Sequence, residues 1–304
     1  MSSLSKPRLV VVTRKTPLEL LLDRHGTMGQ ARFYLTSRNQ STAWYEEAHE
    51  RFQSGFAKVQ EQIPADQRRV RVDRDQLDRF VFSPDDVVLV VGQDGLVPNV
   101  AKYLRGQTTI GVNPDLDRYD GVLCRHPPDV LSTVFAWLEN PKGGLFRMER
   151  RTMAVAERED GQRLLALNEV FIGHRTHQSA KYRLDVAGIA ERHSSSGIII
   201  ATGTGCTGWA RSIARQRGLT ALPQPEEARL AWFVREPFPS TATGTGLDFG
   251  LLTPGMALVA TSELGTDGVV FADGIEQDRL EFLDGHTVRV AVADQALCLV
   301  VPAS

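Results

Sequence analysis

The chain has 304 residues, a formal net charge of −2 and three cysteines. This length is sufficient for two domains with buried cores, and the small net charge gives no electrostatic reason to expect nucleic acid or an anionic membrane surface as a partner. The cysteines form neither a CxxC pair nor a disulfide framework, which is typical of a reducing compartment. No apolar run approaches the roughly 20 residues that span a bilayer, and no apolar signal region precedes the first strand. We therefore expect a soluble, cytoplasmic protein.

The first half of the chain alternates between strand and helix patterns. An apolar run at residues 8–12 predicts the first strand. A capping-box spacing at 16–19, with proline at the first helical position, then predicts a helix that stops at Gly26, and residues 27–41 are polar and unpatterned. Further strands are predicted at 69–72, 87–91 and 108–112, one helical turn at 76–80, and helices at 42–63 and 130–138, the last closed by Pro141 and Gly143-Gly144. This alternation predicts an α/β domain with a parallel sheet.

After residue 145 the pattern changes to short strands separated by turns rich in glycine, aspartate and proline. Asp160-Gly161 is a hairpin signal, and one clear helix begins near Cys206 and stops at Gly218. The predicted strands are 148–156, 163–167, 182–186, 198–201, 229–235, 256–262, 269–271, 279–282, 287–292 and 296–301. We predict two domains, an α/β nucleotide-binding domain at 1–145 and a mostly antiparallel β domain at 146–304.

One acidic residue stands directly after a buried strand of the first domain. The apolar run 87–91 leads into Gly92-Gln93-Asp94-Gly95 and a short amphipathic segment. Glycine lets the backbone approach a ligand closely, and open α/β sheets bind ligands at the carboxyl ends of their strands. The alternative is an ordinary Asp-Gly turn without a ligand.

Residues 203–208 read Gly-Thr-Gly-Cys-Thr-Gly, which is a literal GxGxxG after a strand and at the start of a helix. A Rossmann fingerprint is nevertheless disfavoured. No further strand of a βαβ unit follows, and the chain reads 223-Pro-Gln-Pro-Glu-Glu-227 where a ribose-binding acid should end a strand. Such a turn at a helix N-terminus still suits a phosphate or ribose hydroxyls, because its amides are expected to be unpaired.

Taken together, these stretches resemble the NAD kinases. The run 92–95 is similar to their GGDGT motif, Asn168-Glu169 to their NE motif, and 196–209 to the run DGxxxxTPTGSTAY. The resemblance is closest to the mitochondrial-type branch, which carries an SSG…CTGTGS version of the last run, and it extends in patches along most of the chain. It implies an NAD kinase-like fold and an enzyme that transfers the γ-phosphoryl group of ATP to the 2′-hydroxyl of the adenosine ribose of NAD, giving NADP.

The resemblance also implies roles for individual residues. Asp94 would be the general base on the 2′-hydroxyl, as in other kinases. Mg²⁺ would arrive with ATP, and no metal site made by the protein alone is expected. NAD and ATP (or polyphosphate) would be the ligands, and the protein would be a homodimer or homotetramer. The implied nucleotide-binding residues are Gly92, Gln93, Gly95, Leu96, Asn168, Glu169, Ser196, Thr202, Thr204, Gly205, Thr207, Gly208 and Trp209.

Three positions depart from the motifs of the family. Gln93 replaces the second glycine of GGDGT, Leu96 replaces its threonine, and Ser196 replaces the aspartate of the bacterial run. Two alternatives therefore stay open beside the NAD kinase. One is a catalytically impaired NAD-binding pseudokinase, and the other is a related kinase that acts on another hydroxyl substrate such as a lipid.

Overall fold

The computed structural model describes residues 6–116, 118, 121–141 and 144–303, so Gly143 of the predicted helix end lies outside the described residues. The chain divides into two compact units, Met1–Glu149 with Cys298–Ser304, and Arg150–Leu297. The assignment of folding domains to 1–145 and 146–304 stays a prediction. None of the helices in the described part of the chain has the length and apolar character of a membrane span.

Alternating strands and helices form the first unit. In chain order they are β1 (Leu9–Thr13), α1 (Pro17–His25), α2 (Met28–Thr36), α3 (Ala43–Gln62), β2 (Arg69–Asp73), β3 (Val87–Val91), α4 (Leu96–Ala101), β4 (Thr108–Val112) and α5 (Leu131–Glu139). The strands are parallel in the order β2-β1-β3-β4, and residues 298–300 extend the sheet parallel to β4. Apolar residues of α3 and α5 pack against one face of this sheet. The predicted α/β unit with a parallel sheet is confirmed.

The start of α1 shows how the local sequence determines an element. The Thr16 hydroxyl accepts a hydrogen bond from the Glu19 amide at 3.3 Å, and the Thr16 amide donates to the Glu19 carboxylate at 2.7 Å. This is the capping box that the sequence predicts, and Gly26 ends the helix with a φ of +77°. The next helix, α2, was not predicted. It buries only Ala31 and Leu35, so its apolar periodicity is too weak to read.

The second unit consists mainly of antiparallel strands. They are β5 (Phe146–Arg158), β6 (Arg163–Ala166), β7 (Glu169–His174), β8 (Ala180–Val186), β9 (Ile189–Ser195), β10 (Ile198–Ala201), β11 (Leu230–Val234), β12 (Phe249–Leu252), β13 (Leu258–Ser262), β14 (Gly268–Ala272), β15 (Ile275–Glu281) and β16 (Thr287–Pro302), with one helix, α6 (Trp209–Gln216), between β10 and β11. The strands β5 and β16 extend into residues of the first unit.

One antiparallel sheet of this unit has the order β12-β11-β10-β7-β14-β15, and a second array pairs β9 with β8, β8 with β13 and β13 with β16. The two share an apolar core, and α6 covers the other face of the first sheet. In β10, Ile198 and Ile200 enter the shared core while Ile199 and Ala201 contact the cluster of α6. This period of two is why the strand reads as a continuous apolar run.

Three strands and one connection differ from the prediction. The strands β7, β9 and β12 were not predicted. The strand β9 reads as polar because residues 189–192 of this edge strand are not buried. The predicted strands 287–292 and 296–301 are one continuous strand, β16. The polar residues Asp294 and Gln295 between them resemble a turn in the sequence, but the backbone stays extended through them.

Gly111 in β4 permits a close approach of the segment at residues 123 and 124. A Cβ at position 111 would lie 2.3 Å from the Leu123 carbonyl oxygen and 2.8 Å from the Cys124 Cα. We expect Gly111→Ala to lower the free energy of unfolding by about 2 kcal/mol or more, because two backbone segments must separate. Gly29→Ala in α2 is the matched control, with its nearest neighbour at 3.9 Å, and should raise that free energy by about 0.5–1 kcal/mol. Urea titration measures both, and equal shifts would contradict this role of Gly111.

Candidate functional site

The carboxyl ends of the parallel strands form a crevice in the first unit. The chain leaves β1 toward β2 on one side, while β3 lies on the other side, so the strand order reverses between β1 and β3. Ligands of open α/β sheets bind at such a switch point. A pocket of about 50 Å³ lies here, next to a wider groove of about 660 Å³ that shares Pro114 and Asp115. The pocket is lined by Arg14, Lys15, Thr16, Pro17, Ala48, Phe52, Gly92, Gln93, Pro114 and Asp115.

The turn after β3 has three consecutive backbone donors without an internal acceptor. Gly92 N donates to the Val112 carbonyl at 3.0 Å, and Leu96 N donates to the Gln93 carbonyl at 2.9 Å. Between them, none of the described residues accepts a hydrogen bond from the amides of residues 93–95. Successive unpaired amides form a concavity that binds anions. The turn is therefore a candidate phosphate site. Arg14 and Lys15 line the same pocket together with Asp115, and the Lys15 ammonium is paired with Asp23 at 2.6 Å.

The Asp94 carboxylate binds a second segment of the backbone. Its Oδ2 accepts a hydrogen bond from Val122 N at 2.7 Å, and its Oδ1 accepts from Leu123 N at 2.9 Å and from Cys124 N at 2.8 Å. A carboxylate offers about four acceptor positions, so these bonds leave one, on Oδ2. Asp94 therefore holds residues 122–124 in place and keeps one position at which it can accept a hydroxyl proton.

The two departures from the GGDGT motif occupy different environments. Leu96 is fully buried, so its side chain packs in the core, and its role in nucleotide binding stays a prediction. Gln93 is partly exposed and lines the pocket. Gly95 is exposed, and a Cβ added there would meet no atom within 4 Å, which leaves the turn open to a ligand.

In the second unit, Asp273 repeats the arrangement seen at Asp94. Its Oδ2 accepts from Leu167 N at 3.0 Å, and its Oδ1 accepts from Asn168 N at 2.7 Å and Glu169 N at 3.2 Å. With Gly274 it forms the tight connection between β14 and β15, and both residues have positive φ, +54° and +70°. Sequence reasoning missed Asp273. The available signal was an Asp-Gly pair between two short strands, which predicts a hairpin but not a contact more than 100 residues away.

The side chains of Asn168 and Glu169 are available to a ligand. Both are partly exposed, and none of the described residues makes a hydrogen bond with the Asn168 side-chain amide or donates one to the Glu169 carboxyl group. Burial, followed by the negative charge of Asp273, raises the pKa of Glu169 to about 7. The two predicted residues therefore form a polar pair, with their backbone fixed and their side chains unpaired within the described part of the chain.

Most backbone amides of the Gly/Thr-rich turn donate hydrogen bonds within the turn itself. The Thr202 hydroxyl accepts from Thr204 N at 3.1 Å and Gly205 N at 3.2 Å, and the amides of residues 206–208 donate to carbonyl oxygens of the same turn. The expectation that these amides are unpaired was wrong. The amides of residues 204–208 are therefore paired within the turn, and Gly203 and Gly205 permit close packing. A Cβ at Gly205, for example, would lie 2.1 Å from the Asn168 carbonyl oxygen.

The predicted residues of this run differ in exposure. Thr202, Thr204 and Gly205 are buried, whereas Thr207, Gly208 and Trp209 are exposed. The Trp209 ring stacks on Phe171 with centroids 6.1 Å apart, and the Arg235 guanidinium lies 5.1 Å from its centroid. A half-exposed indole beside a cation suits a planar ligand ring.

Ser196 stands apart from the turn. It precedes β10, whereas Thr202 follows the end of that strand, so the structure does not place Ser196 within the Gly/Thr-rich turn. Its amide donates to the Arg235 carbonyl at 2.9 Å. No group of three or more His, Cys, Asp or Glu side chains in the described part of the chain is placed to hold a metal ion. A magnesium ion that arrives with a nucleotide would depend mainly on the phosphates for its ligands.

The raised pKa of Glu169 has a consequence for stability. The unfolded carboxyl group ionises near pH 4.5 and the folded one near pH 7, so the native state binds the extra proton in this window. Stability should therefore fall as the pH rises from about 5 to 8. We expect Glu169→Gln to reduce this fall by on the order of 1–3 kcal/mol, because glutamine does not ionise. Urea titrations of both proteins at pH 5 and pH 8 measure the difference, and parallel pH profiles would contradict the shift.

Comparisons with known proteins give one relative in sequence and several in structure. No family model matches the chain. An NAD kinase of the archaeon Methanospirillum hungatei is 33% identical over 135 residues, which cover 42% of this chain and 46% of the relative. The match thus spans less than half of that relative.

Solved structures match along nearly the whole chain. An NAD kinase from Archaeoglobus fulgidus, crystallised in complex with ATP, has a TM-score of 0.59 at 18% identity and covers 96% of this chain and 92% of its own. Yeast NADH kinase complexed with NADH has a TM-score of 0.59 at 14% identity and covers 98% of this chain and 84% of its own. The chain therefore has the fold of these NAD and NADH kinases.

Proposed function

We propose that the chain is an ATP-dependent NAD kinase, which transfers the γ-phosphoryl group of ATP to the 2′-hydroxyl of the adenosine ribose of NAD and produces NADP. The observation that carries the proposal is the turn after β3. There, three unpaired backbone amides lie next to a carboxylate that keeps one acceptor position, at the switch point of a parallel sheet. The sequence match to an archaeal NAD kinase and the shared fold support the same chemistry.

On the donor side, the amides of residues 93–95 bind phosphate oxygens, and Arg14 and Lys15 neutralise part of the charge. Mg²⁺ bound to the phosphates of ATP would supply positive charge to the transferred group. Asp94 accepts the hydroxyl proton on Oδ2 while residues 122–124 keep the carboxylate oriented. The wider groove of about 660 Å³ has the size of a small-molecule site and takes the nucleoside of the donor.

On the acceptor side, Asn168 and Glu169 bind the adenosine part of NAD through their unpaired side chains, and Trp209 stacks against a planar ring. Asn168 offers both donors and acceptors, and Glu169 can accept from ribose hydroxyls. The proposal includes the mitochondrial-type branch of the family, a cytoplasmic location, and assembly as a homodimer or homotetramer. Light scattering measures the assembly directly. Polyphosphate in place of ATP, and NADH in place of NAD, are variants of the same reaction.

The first prediction of this proposal concerns turnover of NAD to NADP. Wild-type protein with NAD, ATP and Mg²⁺ should produce NADP in a coupled assay, and chelation of Mg²⁺ should stop the reaction. Asp94→Asn should lower kcat by about 10²–10⁴-fold, because the amide cannot take the proton. Amide hydrogen exchange at residues 122–124 is the control, because it reports whether the variant still holds that segment. An unchanged kcat in Asp94→Asn would remove Asp94 from the chemistry.

If the wild-type protein forms no NADP, binding of NAD is measured by calorimetry. Binding of NAD without turnover would favour the pseudokinase, and absence of NAD binding would favour a kinase for another hydroxyl substrate.

The second prediction concerns Gln93, the observation that favours the pseudokinase alternative. The Gln93 side chain lines the pocket in which the phosphates of the donor would lie. The backbone N–H of residue 93, in contrast, is a donor that any residue except proline supplies. We expect Gln93→Gly to lower the KM for ATP several-fold while kcat changes little, because only the approach of the donor is eased. Leu96→Thr is a poor reversion, since it buries a hydroxyl at a fully buried position. Activity that appears only in Gln93→Gly would establish the pseudokinase.

A further inference from the structure

Asp273 fixes the backbone that carries the two unpaired side chains of the second unit. Its carboxylate accepts from the amides of Leu167, Asn168 and Glu169, and its own amide donates to the Glu169 carbonyl at 3.0 Å. The Asn168 carbonyl in turn accepts from Thr202 N at 2.9 Å. The backbone around positions 168 and 169 is thus held from two sides, and the orientation of both side chains depends on Asp273.

The same residue determines the electrostatic environment of Glu169. The Glu169 carboxyl group is half-buried and receives no hydrogen bond from any described residue. The negative charge of the Asp273 carboxylate repels it and adds to the effect of burial in raising its pKa. Cys206 is the other titratable group beside it among the described residues. Burial and the charge of Glu169 raise the pKa of that thiol to about 12, so it stays neutral in the physiological range. Asp273 is therefore the charged neighbour that opposes ionisation of Glu169.

We propose that Asp273 is a positioning residue for the nucleotide, which orients Asn168 and Glu169 and, through its own charge, makes binding at Glu169 depend on pH. The proposal rests on the proposed function for the identity of the ligand, a nucleotide whose ribose hydroxyls or amino group donate to Glu169. Such donors favour the ionised carboxylate, because charge-assisted hydrogen bonds are stronger than neutral ones. Binding then releases a proton below neutral pH.

The coupling predicts a measurable change in affinity. If the ligand binds the ionised form and Glu169 titrates near pH 7, the affinity should rise about tenfold between pH 6 and pH 8. In Asp273→Asn the opposing charge is absent, so Glu169 ionises at lower pH. A midpoint one unit lower reduces the same rise to about twofold. Glu169→Gln should show no such rise, while the hydrogen bonds that the backbone amides donate to the Asp273 carboxylate remain.

The experiment has two parts, of which the first needs no ligand. Carbon-13 NMR of carboxyl-labelled glutamate follows the titration of Glu169 in the free protein, and its signal is assigned by its loss in Glu169→Gln. We expect the midpoint to fall in Asp273→Asn, because the negative charge that opposes ionisation of Glu169 is removed while its burial remains. Asp160→Asn is the matched control, because Asp160 occupies the other Asp-Gly hairpin and should leave the midpoint unchanged. An equal midpoint in wild type and Asp273→Asn would overturn the proposal.

The second part is calorimetry with NAD at pH 6, 7 and 8, in two buffers of different ionisation enthalpy. A pH-dependent affinity with proton release in the wild type, reduced in Asp273→Asn and absent in Glu169→Gln, supports the proposal. An affinity that does not change with pH overturns its binding part. A protein that passes the NMR test but binds no NAD contradicts the proposed function and leaves the coupling of the two carboxyl groups established. Urea titration of Asp273→Asn at pH 7 checks that it is folded.

Discussion

In each unit, the carboxylate of one aspartate accepts hydrogen bonds from three consecutive backbone amides. Asp94 binds residues 122–124 and Asp273 binds residues 167–169. Hydrogen bonds to a charged acceptor are stronger than neutral ones, and three of them orient a segment as a rigid piece. Both aspartates precede a glycine in a tight turn that directly follows a strand, β3 for Asp94 and β14 for Asp273. The strand therefore fixes the position of each carboxylate. The candidate site groups are therefore held by backbone contacts that ordinary side-chain substitutions in the bound segments would leave in place.

Glycines provide the second constraint, through close approach of backbones and not through a ligand. Gly205 lies against the Asn168 carbonyl, and Gly203 lies against the carbonyl of Gln224, where a Cβ would come within 2.0 Å. The Gly/Thr-rich turn thus packs on the same segment that Asp273 holds. A motif defined only by glycine spacing cannot distinguish this packing from phosphate binding, because both need the absence of a side chain. The pairing of the amides distinguishes them, and it is visible only in the folded chain.

The sequence predicted the parts of the structure that follow from local physics. The buried strand β3 is an unbroken apolar run, β1 is apolar up to Thr13, and β4 is rich in β-branched residues. The start of α1 carries its own capping box. Each of these elements could therefore be read directly. The helix α2 and the edge strand β9 could not, because each exposes most of its surface and carries little periodicity. Asp94, Asn168 and Glu169 could be selected by motif, whereas Asp273 could not. Its partners are backbone amides, which every residue except proline has, and no residue type marks them.

The two departures at the GQDG turn do not have equal weight. Leu96 lies in the core, where an apolar residue packs better than the threonine of the GGDGT motif. The unpaired amides of residues 93–95 are present whatever side chain stands at position 93. What distinguishes this turn from GGDGT is therefore the bulk and the amide group of one side chain in a small pocket beside Arg14 and Lys15. Under the proposed function, the Gln93 side chain either obstructs the donor phosphates or hydrogen-bonds to them.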